Sequence, residues 1–133
     1  MQIAQREKEG VVILDLDGRL VAGDPVAELR EKVKGLIAEG RTSIILNLKE
    51  VPYIDSTGLG SLVVCYTSLQ KAGGAGKLLN LTRRSIQLLV LTKLETIFEV
   101  FDDEQSAVNS FFPGREIRRF DILSFVQEQG KEG

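Results

Sequence analysis

Histidine is absent from all 133 residues. That gap removes Ser-His-Asp hydrolysis, His-ligated zinc, imidazole acid–base catalysis and histidine phosphotransfer together. Cysteine is nearly as scarce. Cys65 stands alone, so the chain has no internal disulfide and no CxxC pair, which points to a reducing compartment, the cytoplasm, and offers no metal cluster. An excess of one charge is missing too. The 17 Lys and Arg against 19 Asp and Glu leave a formal charge of -2 with the signs interleaved, whereas a nucleic-acid footprint needs clustered cations. No stretch approaches the ~18 apolar residues of a spanning helix. The opening MQIAQREKEG has no apolar run to serve as a signal-peptide core. The expectations are no direct nucleic acid and no membrane insertion.

Present instead is an ordinary mixture, 43% hydrophobic, at a length where one core can bury roughly two-thirds of the unfolded surface without a covalent or metal staple. From Val11 to Leu16 the sequence VVILDL puts Val12, Leu14 and Leu16 on one face and Val11, Ile13 and Asp15 on the other, a mostly buried strand. A weaker edge strand is read within residues 2 to 8. Asp24 and Pro25 start a helix to Glu39, the Asp accepting from free amides, and Gly40 stops it. Strands are read at Ile44–Leu48, Lys77–Leu81 and Ile97–Phe101, and helices after DSTGLG, at Arg83–Leu91 and at Glu104–Phe112. Regular β-α alternation implies an α/β domain with parallel pairings. Beyond Pro113-Gly114 the tail is too apolar for a solvated linker, so it forms a docked helix from about Asp121 or an interaction arm.

Several apparent motifs fail. In KAGGAGKLL the spacing GxxxxGK would need glycine where Lys71 stands, and Leu78 replaces the metal-binding hydroxyl residue. Gly58-Leu59-Gly60 begins a dinucleotide fingerprint that Val63 ends. Asp15 and Asp17 have no third carboxylate to complete a cation site. Asp102, Asp103 and Glu104 suit a helix start. Cys65 shares a helix face with Leu62 and Leu69 and reads as a small core hydrophobe. No catalytic, cofactor-binding or metal-ligating set emerges.

What remains is Asp55-Ser56-Thr57-Gly58-Leu59-Gly60, hydroxyls and small residues at a helix N-terminus. Ser56 or Asp55 could simply cap that helix. Capping alone does not require Gly58 and Gly60, each of which lowers helix stability by up to about 1 kcal/mol relative to alanine. On this reading the glycines keep the surface low, so that another protein can approach the Ser56 hydroxyl.

Gly18-Arg19-Leu20, the helix segment Glu28 to Val33, the strand IILNLKEV and above all YIDSTGLGSLV, Tyr53 to Val63, together resemble the STAS-domain family, specifically its small bacterial anti-sigma factor antagonists. The match spans roughly residues 10 to 112. The resemblance implies a βα superhelix with a small mixed sheet of four to five strands and about four helices. The domain is set at 1–112 and a C-terminal extension at 113–133. It also implies a non-enzymatic switch. Unphosphorylated, such a protein binds an anti-sigma factor serine kinase and releases a sigma factor; the kinase, using ATP, phosphorylates Ser56, with Thr57 the second candidate, and a serine phosphatase reverses this. Asp24, Asp55, Ser56, Thr57, Gly58, Leu59 and Gly60 form the expected partner-binding set, with no cofactor of the chain's own. Two departures stand out. Val21 occupies the place of the family's aspartate, with Asp24 a replacement or only a cap, and the extension could cover a partner face or support a homodimer. The alternative is a STAS adaptor in a stress-signalling scaffold or a membrane transport complex, with Ser56 a mere cap. An enzyme with Ser56 as nucleophile lacks a base of evident geometry.

Overall fold

The computed structural model describes residues 1–126, and the last seven residues of the extension lie outside it. Strand β1 (Gln2–Lys8) pairs antiparallel with β2 (Val11–Asp17). Parallel pairings then join β2 to β3 (Ser43–Glu50), β3 to β4 (Ala75–Leu79) and β4 to β5 (Val100–Phe101), giving the order β1-β2-β3-β4-β5. Helices α1 (Asp24–Ala38), α2 (Ser56–Lys71) and α3 (Arg83–Leu91) make the crossovers, and α4 (Glu104–Asn109) follows β5.

Alternation in β2 builds two cores. Val12, Leu14 and Leu16 join the larger cluster with Leu29 and Val33 of α1 and Leu62, Cys65 and Leu69 of α2. Val11 and Ile13 face the other way, toward Phe101, Ala107 and Val108, with Phe111 and Phe112 packed alongside. Both faces of the central strands are therefore covered, as parallel strands require.

Several boundaries differ from the sequence reading. Asp24 does not cap α1: Gly23, at φ 101°, is the N-cap, and no side chain accepts there. The positive φ turns the chain so that Asp24 lies inside the first turn, its carboxylate exposed. Strand β4 begins two residues early and ends at Leu79, because Asn80 turns with φ 58°. Ile97 and Phe98 are not strand: their N–H groups donate to the Leu94 carbonyl at 3.0 and 3.2 Å, closing a turn after the 3₁₀ segment Leu94–Thr96. Helix α4 stops at Asn109, where the Ser110 hydroxyl donates to the Ala107 carbonyl at 2.6 Å. Asp15 pairs with Arg6, whose Nε donates at 2.7 Å, and accepts from Asn47 Nδ2 at 2.8 Å.

The extension docks on its own domain as far as it is described. The Phe120 N–H donates to the Val100 carbonyl at 3.2 Å, and Phe120 and Ile122 pack against the larger core.

Candidate functional site

The turn between β3 and α2 is stitched to the loop after β2. Gly18 N–H donates to the Glu50 carbonyl at 3.1 Å and Leu20 N–H to that of Tyr53 at 3.0 Å. Asp55 N–H returns a bond to the Leu20 carbonyl at 3.2 Å, within a parallel bridge between Leu20 and Ile54. These bonds hold the α2 N-terminus at the carboxyl end of the sheet, where doubly wound folds expose their free helix amides.

Asp55 is the cap, which settles the choice the sequence left open. One carboxylate oxygen accepts from Gly58 N–H at 2.7 Å and the other from Ala22 N–H at 3.0 Å. These bonds, led by Ala22 and aided by the charge of Arg19, hold its carboxyl below the usual carboxylate range. A folded value below the unfolded one makes the unfolded chain bind more protons. The resulting stability is therefore full above the unfolded pKa and is lost as pH falls through the folded one. Asp55→Asn keeps the cap without the charge. Its stability deficit relative to the parent is expected to be constant near neutrality and to shrink below about pH 4, as urea unfolding across that range would register.

Ser56 opens α2 with its side chain exposed, and Thr57 beside it is exposed too. The third hydroxyl, Ser61, is buried and donates to the Gly58 carbonyl at 2.6 Å. Two members of the expected partner-binding set turn inward. Leu59 is a core residue, and Gly58 is buried because a Cβ there would lie 2.0 Å from the Leu20 carbonyl oxygen. Its missing side chain admits the neighbouring loop, not a partner. Gly60 has nothing within 4 Å of a Cβ and is exposed, so it alone keeps the surface low. Asp24 lies in the first turn of α1, with no bond to the Asp55 turn.

An open cleft of about 420 Å³ adjoins Ser56, lined by Tyr53, Asp55, Arg84, Leu88 and Leu91 among others. Leu91 is 83% exposed. The guanidiniums of Arg19 and Arg84 each lie 4.9 Å from the Tyr53 ring centre. The sequence reading missed Arg84, Leu88 and Leu91, which come from α3, and no spacing signal ties them to residue 56. Among the described residues no group of three or more acidic or cysteine side chains is placed to hold a metal ion. Burial pushes the Cys65 thiol up to about 11, which suits packing and not thiolate chemistry.

The chain is a single-sheet domain with a serine exposed at the start of its second helix, behind an aspartate cap. The sequence pattern defining the STAS domain matches residues 2–107, and the chain belongs to that family. The Anti-sigma-B factor antagonist of Bacillus subtilis is 35% identical over 104 residues, 77% of this chain and 93% of that protein. A crystal structure of a proposed anti-sigma factor antagonist from Thermotoga maritima superposes with a TM-score of 0.77 at 25% identity, covering 82% of this chain and 93% of that one. The Bacillus cell fate determinant SpoIIAA in its phosphorylated form shares the fold, with a TM-score of 0.64 at 22% identity over 82% of this chain and 99% of its own. Sequence and fold both set the chain beside anti-sigma factor antagonists. No helix among the described residues is long and apolar enough to cross a membrane.

Proposed function

We propose that this protein is a non-enzymatic partner switch whose unmodified form binds an anti-sigma factor serine kinase through the face around Ser56 and thereby frees a sigma factor. The kinase ends the binding by phosphorylating Ser56. The Ser56 oxygen attacks the γ-phosphorus of ATP, a new O–P bond forms, the bond from that phosphorus to the bridging oxygen breaks, ADP leaves, and the hydroxyl proton passes to a base on the kinase. A serine phosphatase restores the hydroxyl. The chain works in the cytoplasm with no cofactor of its own; ATP belongs to the kinase.

One observation carries this reading: the Ser56 hydroxyl is exposed at a helix start while the neighbouring carboxylate already occupies the cap. Ser56 is therefore free of any structural duty its position would otherwise impose. Helix amides favour the phosphate by about 0.3–1 kcal/mol, so the isolated domain tolerates a group that adds about 1.5 to 2 negative charges.

Incubation with the cognate kinase and ATP should add roughly 80 daltons, one phosphoryl group, located by fragmentation at Ser56. Ser56→Ala should gain nothing. A gain confined to Thr57, or none on the parent, would overturn the assignment.

A further inference from the structure

We propose that Arg19 and Arg84, stacked on the ring of Tyr53, form a two-armed guanidinium clamp that takes up the phosphoserine at position 56 of the same chain. This rests on the reading of Ser56 as the modified residue and assigns that site its regulation.

The two arms come from distant parts of the sequence. Arg19 lies in the loop after β2 and Arg84 in the first turn of α3, yet both guanidiniums reach one ring, each at 4.9 Å from its centre. Both side chains are exposed. Among the described residues neither forms an ion pair with a carboxylate. Tyr53, Arg84, Asp55 and Ser56 line one cleft, and the Arg19 charge is felt at the Asp55 carboxyl. Arg84 thus lines the cleft that holds Ser56, and Arg19 joins it on the Tyr53 ring that lines the same cleft.

Asp55 is a poor competitor for these arms, because its two oxygens are held by the Ala22 and Gly58 amides. Ring stacking at an exposed site is a weak attraction that keeps a guanidinium in place without satisfying its donors. A phosphate offers the same fork charge-assisted, bidentate hydrogen bonds, which are stronger. Phosphorylation should thus draw the arms from the ring to the phosphate. Two cations and one carboxylate leave the unmodified mouth net positive, and a dianion turns it net negative, so a single modification inverts the sign of the face a partner meets.

The test installs phosphoserine at position 56 during synthesis, without any kinase, in the parent and in Arg19→Gln, Arg84→Gln and the double variant. Each variant's amide spectrum checks the fold. Phosphorus NMR then follows the second phosphate ionisation, which lies near 6 when unperturbed. Its midpoint should be lower in the parent than in the double variant by on the order of half a unit, with the single variants between. Asp55 and the helix amides are common to all four proteins, so the difference isolates the arginines. The side-chain Nε–H signals of Arg19 and Arg84 should also move with the phosphate titration. Equal midpoints, stationary Nε–H signals, or a dependence on Arg84 alone would each overturn the two-armed clamp. Because no kinase is used, a kinase that ignores Ser56 would refute the proposed function and leave this result standing, and equal midpoints would do the reverse.

Discussion

Gly58→Ala is expected to cost about 3 kcal/mol of stability, the upper end of overpacking penalties, and to lower the melting temperature by on the order of 10 °C. The added methyl would lie 2.0 Å from the Leu20 carbonyl oxygen and 2.9 Å from its carbon. Both are backbone atoms, so no rotamer change relieves the clash. Either the first turn of α2 withdraws or the loop after β2 does, and each movement breaks the Asp55 N–H to Leu20 bond and strains the Leu20–Ile54 bridge. Two residues on, the same substitution should have the opposite sign. Gly60 lies inside α2 with open space where a Cβ would stand, so Gly60→Ala should stabilise the helix by up to about 1 kcal/mol. Urea unfolding of the two variants beside the parent decides the matter. A Gly58→Ala midpoint equal to the parent's would show that the loop and helix are not in the contact described.

That pair of glycines marks where sequence reasoning reaches and where it stops. A glycine in a helix's first turn signals close approach, but it does not say what approaches. The question is settled only by the loop carrying Leu20, some forty residues earlier in the chain. The same holds for the mouth as a whole. Asp55, Ser56 and Thr57 were legible because capping and hydroxyl exposure at a helix start are local properties. Arg19 and Arg84 were not, because their meeting on Tyr53 follows from the packing of α3 beside the β3–α2 turn. In the fold, VVILDL announced a strand buried on both faces, and α3 was legible end to end from Arg83 to Leu91. Strand β1 was faint because its burial pattern is mostly exposed; Arg6 ties it to β2 through Asp15 and to α4 through Glu104. Strand β5 was overextended because Phe98 is apolar to fill the core from the turn after the 3₁₀ segment and Ile97 is an exposed apolar residue, neither belonging to a ladder. Asp24-Pro25 looked like a cap because the pattern is a good one, and Gly23 took the role because the chain enters α1 at a positive φ.

Ser56→Asp is expected to weaken binding to the kinase about a hundredfold, equivalent to about 2.8 kcal/mol, while leaving stability within about 0.5 kcal/mol of the parent. The asymmetry follows from where the amides at the start of α2 are spent. Asp55 already draws on Gly58 N–H and Ala22 N–H, with Thr57 N–H contributing to the same carboxyl. A second carboxylate at position 56 therefore finds few unclaimed amides at the start of α2 and depends on water and on the exposed guanidiniums of Arg19 and Arg84. In the free protein water is plentiful at an exposed position, so the fold tolerates the charge. Beneath a partner that water is removed, and a charge beside a fixed like charge carries a desolvation cost that the shared guanidiniums offset only in part. Ser56→Ala brings no charge and removes no cap, since Asp55 holds that role, so it should bind as the parent does and unfold at the same denaturant concentration. Calorimetric titration of the kinase with the three proteins separates the cases. Equal affinities of Ser56→Asp and the parent would mean that the kinase does not cover residue 56, and an equally deep loss in Ser56→Ala would mean that the hydroxyl itself, and not the absence of charge, is what the partner reads.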